Sequence, residues 1–95
     1  MFIHIFGFRW KPEATDADKA RARKETLAFR GVIPGLADAK VGPNLSPRGL
    51  GYEFVGLMTF TDRAACDAYA AHPAHLKLLE WLVPLIEAVE LDFEA

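Results

Sequence analysis

Phe2-Ile3-His4-Ile5-Phe6-Gly7-Phe8-Arg9-Trp10 is the stretch whose reading decides the fold. It is rich in aromatic and β-branched residues and is followed by Pro12, which marks a strand and its end. Successive side chains of a strand point to opposite faces, so Phe2, Phe6, Phe8 and Trp10 share one face while Ile3 and Ile5 share the other. Tyr52 to Phe60 repeats the pattern, with Phe54, Met58 and Phe60 opposite Val55 and Leu57. Both strands are therefore apolar on both sides. A few helices cover one face of a small sheet, so the second apolar face needs another sheet against it. A homodimer packed sheet against sheet supplies that cover.

Working outward, Thr15 opens a helix, because its hydroxyl can accept from the amide of Asp18 and the Asp18 carboxylate lies in the positive first turn. Gly31 is placed to end that helix near Arg30. Lys19, Arg21, Arg23 and Lys24 lie on it beside Asp16, Asp18 and Glu25, which is the composition of a solvated face. Ile33-Pro34-Gly35 is a turn, Leu36 to Val41 a short second strand, and Gly42 to Gly51, with two prolines and three glycines, a loop. Asp62 to Ala71 reads as a second helix, and Pro73 starts a third that reaches Leu82 before Pro84 stops it. Val89, Leu91 and Phe93 alternate with Glu90, Asp92 and Glu94, the period of a last strand with one wet face. The order βαββαβ, its second helical segment broken in two, closes into an α+β fold: a ferredoxin-like protomer with a four-stranded antiparallel sheet and helices on one face.

At 95 residues the chain is one domain, residues 1–95, and a core this small leaves stability to be gained by self-association. Eleven basic against 13 acidic residues, a net charge of -2, offer no footprint for a polyphosphate backbone, so no nucleic acid is expected. The opening segment lacks a cationic leader and a cleavage site, and no stretch is long and apolar enough for a membrane span. With Cys66 as the single cysteine there is no internal disulfide, and a reducing, cytoplasmic location fits. Asn44-Leu45-Ser46 matches a glycosylation sequon by chance, being followed by Pro47.

Three histidines carry the chemistry the sequence has to offer. His4 lies on the face of Phe2, Phe6 and Phe8, either as a satisfied core residue or as part of a pocket under the helices. His72 and His75 flank Pro73 and either fill a corner between two helices or present a base. A metal site would need three or four ligands, and three histidines with no thiolate cluster supply none. Neither metal nor any other cofactor is expected. Cys66 has no base beside it and reads as packing; Trp10 and Trp81 read as anchors of the core or of an interface.

Several segments together resemble the stress-responsive A/B barrel (Dabb) family: Ile3-His4-Ile5-Phe6 with Phe8 and Lys11-Pro12, Ile33-Pro34-Gly35, Gly42-Pro43-Asn44-Leu45-Ser46-Pro47, and the ending Val89-Glu90-Leu91-Asp92-Phe93. Most specific is Tyr69-Ala70-Ala71-His72-Pro73-Ala74-His75, which is similar to the family's Y..HPAH segment. The resemblance implies a dimeric α/β barrel. It also brings in a plant polyketide cyclase that closes a linear thioester by aldol condensation, whose catalytic tyrosine and histidine match Tyr69 and His75. By that resemblance His75 would be the base and Tyr69 the donor to the carbonyl oxygen, without a cofactor. His4, Phe54, Met58 and His72 are the candidates to line a small apolar carbonyl ligand. The cyclase carries a histidine where this chain has Phe54, so the pocket here is expected to be less polar, which is compatible with a different acyl chain, a different carbonyl compound or no reaction at all. The alternative is a non-catalytic ligand-binding or structural homodimer.

Overall fold

The computed structural model describes residues 1–95, and the two-faced opening segment forms β1 (Phe2–Trp10) at the middle of its sheet. α1 (Asp16–Leu27) follows, then β2 (Leu36–Pro43), β3 (Phe54–Phe60), α2 (Arg63–Ala70), α3 (Pro73–Leu82), a short 3-10 turn Val83–Leu85, and β4 (Ile86–Glu94). The strands are ordered β2-β3-β1-β4. All three pairings are antiparallel. The fold is the ferredoxin-like βαββαβ arrangement, with three helices.

Local chemistry sets the helix starts as expected. The Thr15 hydroxyl accepts from the Asp18 amide at 3.1 Å and the Asp18 carboxylate accepts from the Thr15 amide at 2.9 Å, a reciprocal cap. That amide holds the Asp18 carboxyl below its usual range. Asp62 caps α2 by accepting from Ala65 at 2.8 Å. The charged face of α1 does more than meet water: Glu25 accepts from the Trp81 indole at 3.2 Å, and the Arg21 guanidinium lies 4.2 Å from the centre of the same ring. These contacts tie α1 to α3.

Four boundaries differ from the sequence expectation by two residues or more. α1 stops at Leu27, because the chain tightens there into turns that bury Phe29 and Ile33, both amides of Val32 and Ile33 donating to the Phe29 carbonyl. β2 continues through Gly42 and Pro43, which pair with Val55 and Phe54; β2 is an edge strand, where a proline's missing N–H costs no ladder bond. β3 begins at Phe54 rather than Tyr52, whose ring lies under the Arg9 guanidinium at 4.4 Å. β4 begins at Ile86, since Ile86, Glu87 and Ala88 already pair with Trp10, Arg9 and Phe8.

Phe2, Phe6, Phe8, Phe54, Met58 and Phe60 are buried under the helices. Across the sheet, Ile3, Ile5 and Val55 are half-buried, while Leu57, Leu91 and Phe93 stand exposed, the last two at 59% and 51%. No helix covers that face.

Gly56 is required by the core. Phe6 pairs with it across β1 and β3, and a Cβ on Gly56 would lie 2.0 Å from the Phe6 ring. That ring cannot retreat, being buried and stacked on Phe8 at 5.1 Å. Gly56→Ala should therefore lower stability by about 1–3 kcal/mol, the usual cost of overpacking. Gly42→Ala is the control, since a Cβ there meets nothing within 4 Å. Thermal unfolding of both variants checks the difference.

Candidate active site

α1 lies over β2, α2 over β1 and β3, and no helix packs as closely on β4. Strand register nevertheless turns part of β4 toward the helix side: Ala88, Glu90 and Asp92 stand opposite Phe8, Phe6 and His4 of β1. α3 packs on α1 and α2, and the space left between it and β1 and β4 is a cavity of about 280 Å³. Its walls are mainly hydrocarbon, with Phe6 and Phe8 below and Leu78, Leu79 and Leu82 above. A second opening, about 190 Å³ and more polar, is lined by Cys66, Asp67, Ala70 and Asp92. His4, Tyr69, His75 and Glu90 line both spaces. A larger recess of about 410 Å³ lies against the chain ends and Thr61 to Arg63. It is far less apolar and brings no histidine or tyrosine together.

Tyr69 comes from the last turn of α2 and His75 from the first turn of α3, and the Pro73 corner between them brings their ring centres to 4.2 Å. His75 Nδ1 lies 3.1 Å from the Ala70 carbonyl oxygen. A carbonyl only accepts, so Nδ1 carries a proton and Nε2 is left as the basic nitrogen. Burial holds this imidazole below the ordinary histidine value of 6.5, outweighing the Ala70 bond and Glu90, which act the other way. At neutral pH His75 is thus an uncharged base.

Tyr69 is only 6% exposed, packed against Phe29 and Phe60. Burial, and after it Cys66 and Glu90, push its phenol far above the ordinary tyrosine value, so it keeps its proton. The hydroxyl has no hydrogen-bond partner in the chain. It is not sealed off either, because no enclosed side-chain polar atom is left unpartnered. It therefore opens on the space it lines.

His4 is buried on the helix side of β1, and its Nδ1 meets the Asp92 carboxylate at 2.5 Å. Its ring centre lies 6.2 Å from that of Tyr69. The hydrogen bond to the carboxylate fixes the orientation of the imidazole. Two histidines and a phenol, each held by a different element, converge on one cavity.

The remaining candidates lie elsewhere. Phe54 and Met58 are buried in the core between β3 and the helices, Phe54 stacked on Phe8 at 5.6 Å, and neither lines the cavity. β3 is separated from β4 by β1, one strand too far. His72 also stays outside the cavity lining: its Nδ1 accepts from the Ala74 amide at 3.0 Å and caps α3. Cys66 forms part of the polar opening, where burial, then Asp92, Asp67 and Glu90, push its thiol to about 11. It is no nucleophile at neutral pH. No three His, Cys, Asp or Glu side chains are grouped to hold a metal ion.

Three site residues escape a reading of the sequence. Asp92 and Glu90 belong to the side of the last strand that reads as wet, and alternation alone does not say which side faces the helices. Thr26, 2% exposed, lines the apolar cavity from α1. Its signal was its place four residues after Ala22, the two buried positions of an otherwise charged helix.

The sequence profile of the Stress Responsive A/B Barrel Domain family matches residues 2–95. No protein of curated function matches the chain by sequence. Among solved structures, a protein of Arabidopsis thaliana superposes with a TM-score of 0.89 at 19% identity, over 100% of this chain and 95% of that one. A hydroxynitrile lyase from Passiflora edulis gives a TM-score of 0.86 at 20% identity, over 97% and 90%. A dimeric ferredoxin-like protein of unknown function from Jannaschia sp. CCS1 gives 0.79 at 28% identity, over the whole of both chains.

Proposed function

The chain belongs to the stress-responsive A/B barrel domain family, and from that premise we propose that it acts on a small apolar carbonyl compound by cofactor-free acid–base chemistry at Tyr69 and His75. One observation carries the reading. The hydroxyl of a buried, protonated tyrosine has no partner in the chain and opens on an apolar cavity, its ring 4.2 Å from that of a neutral histidine. A phenol hydroxyl at an apolar wall has a hydrogen bond to give, and a ligand's carbonyl oxygen is an acceptor that suits it.

The cavity of about 280 Å³ is at the small end of ligand sites and fits about nine non-hydrogen atoms, counting roughly 30 Å³ for each. In the step we propose, His75 Nε2 removes a proton from the carbon beside the carbonyl, and Tyr69 donates a hydrogen bond to the oxygen as it becomes an enolate. Attack of the enolate carbon on a second carbonyl forms the carbon–carbon bond. The resulting alkoxide takes the proton back from the His75 imidazolium, so the protein ends as it began. The Asp92–His4 pair supports this centre from β4. The lyase from Passiflora edulis has the same fold, and cleavage of a carbon–carbon bond beside an oxygen asks for the same two roles, a base and an oxygen partner.

The whole chain acts as one domain in this reading, and the working unit is a homodimer. Ile3, Ile5, Val55, Leu57, Val89, Leu91 and Phe93 make the helix-free face apolar, and a second copy of the same face is the cover that suits it. The Jannaschia protein, alike over its full length, is a dimer. The buried, protonated Cys66 thiol fits a reducing compartment, the cytoplasm.

Two predictions test these assignments. With a turned-over substrate, His75→Ala should lower kcat by about 10² to 10⁴, the usual worth of a general base, and Tyr69→Phe should lower it while both variants keep a cooperative melt. Lost stability with unchanged ligand binding would instead make the Pro73 corner structural. For assembly, light scattering at micromolar concentration should report a dimer, and Leu57→Asp should shift it toward monomer far more than Leu76→Asp on α3. Equal effects of the two changes would remove the sheet-to-sheet interface.

A further inference from the structure

Asp67 on α2 and Glu90 and Asp92 on β4 surround the polar opening in which Tyr69 and His75 meet. None of the 11 lysines and arginines lines either opening. The carboxylates are only partly paired: Asp92 faces the His4 imidazole at 2.5 Å, Asp67 meets the exposed Arg63 at 4.0 Å, and Glu90 forms no ion pair. Their field reaches the wall of the site, since the Cys66 thiol is pushed to about 11 by burial and then by these same three groups. Independently of the acids, two hydroxyls await a ligand. Tyr69 and Thr26 belong to buried residues that line the apolar cavity; neither hydroxyl donates a hydrogen bond within the chain, and neither is sealed off from the space it lines.

We propose that this site selects uncharged carbonyl compounds and rejects their anionic counterparts, carboxylates and phosphate-bearing acyl carriers among them, because Asp67, Glu90 and Asp92 guard the opening and no lysine or arginine lines it. An anion entering would lose water and meet like charge, the arrangement by which binding sites exclude wrong partners. An uncharged carbonyl loses little on desolvation and finds its donor in Tyr69. Thr26, at the apolar end, offers a second hydrogen bond to a hydroxyl or carbonyl further along the ligand. The inference rests on the reading of Tyr69 and His75 as a carbonyl site, and it narrows the substrate to uncharged carbonyl compounds.

Methyl pentyl ketone and hexanoate have the same shape and the same number of non-hydrogen atoms, and they differ in charge at neutral pH. Binding of each is followed by NMR shifts of the Tyr69 and His75 rings at low salt, in the unaltered protein, in Tyr69→Phe, and in Asp67→Asn/Glu90→Gln. The ketone should bind about tenfold tighter than hexanoate, and the ratio should fall to about threefold or less in the double variant and at high salt, where exposed charges are screened. Equal affinity of the two in the unaltered protein, or a ratio that the double variant leaves intact, overturns charge selection while the carbonyl site stands. Failure of both probes to bind, or ketone binding that Tyr69→Phe does not weaken, overturns the carbonyl site and this inference with it.

Discussion

Three helices have to cover a sheet of four strands, and because α1 and α2 lie over β2, β3 and β1, the strand at the other edge is left short of cover. Every feature of the site follows from that mismatch. β4 must still pair with β1 along its length, so Asp92, Glu90 and Ala88 turn to the helix side with no helix packed closely on them. α3, held against α1 by Trp81 and its contacts with Glu25 and Arg21, bridges over the gap without filling it. The result is a cavity with one hydrocarbon wall and one acidic rim.

Polar groups in such a place need partners, and the chain supplies them selectively. Asp92 takes one nitrogen of His4, and the Ala70 carbonyl takes one nitrogen of His75. His72 spends its lone pair on the Ala74 amide, which starts α3 and thereby fixes where His75 stands. The Tyr69 hydroxyl and the second nitrogen of His75 are left over. Burial keeps the phenol protonated and the imidazole neutral, which are the states in which one donates to an oxygen and the other accepts a proton. Two groups whose surroundings drive them toward opposite roles are how acid–base sites are made.

The sequence carried much of this. Two-sided strands, the Thr15 cap and the Pro73 helix start are local, and each depends only on neighbours a few residues away, so their placement in the fold agrees with the reading. Tyr69, His75 and His4 were legible because a resemblance and a shared strand face pointed to them. Phe54 and Met58 were legible as inward-facing but not as lying behind the cavity lining, since facing inward does not say which strand lies next to the uncovered edge. Asp92 and Glu90 were hidden for the complementary reason: a last strand with alternating acids reads as solvent-facing, and only the sheet order puts those acids across from His4 and Phe6. Thr26 was hidden by the charges around it on α1.

The central claim is that His75 is held as a neutral base with its outer nitrogen free. Nitrogen NMR of labelled histidines, titrated from neutral to acid pH in the intact protein, measures this directly. The account predicts a proton on Nδ1 and none on Nε2 at neutral pH, with the ring taking up its second proton only at a midpoint below 6.5, because burial disfavours the charged form. A proton on Nε2 instead, or an imidazolium that persists at neutral pH with a midpoint above 6.5, would contradict it.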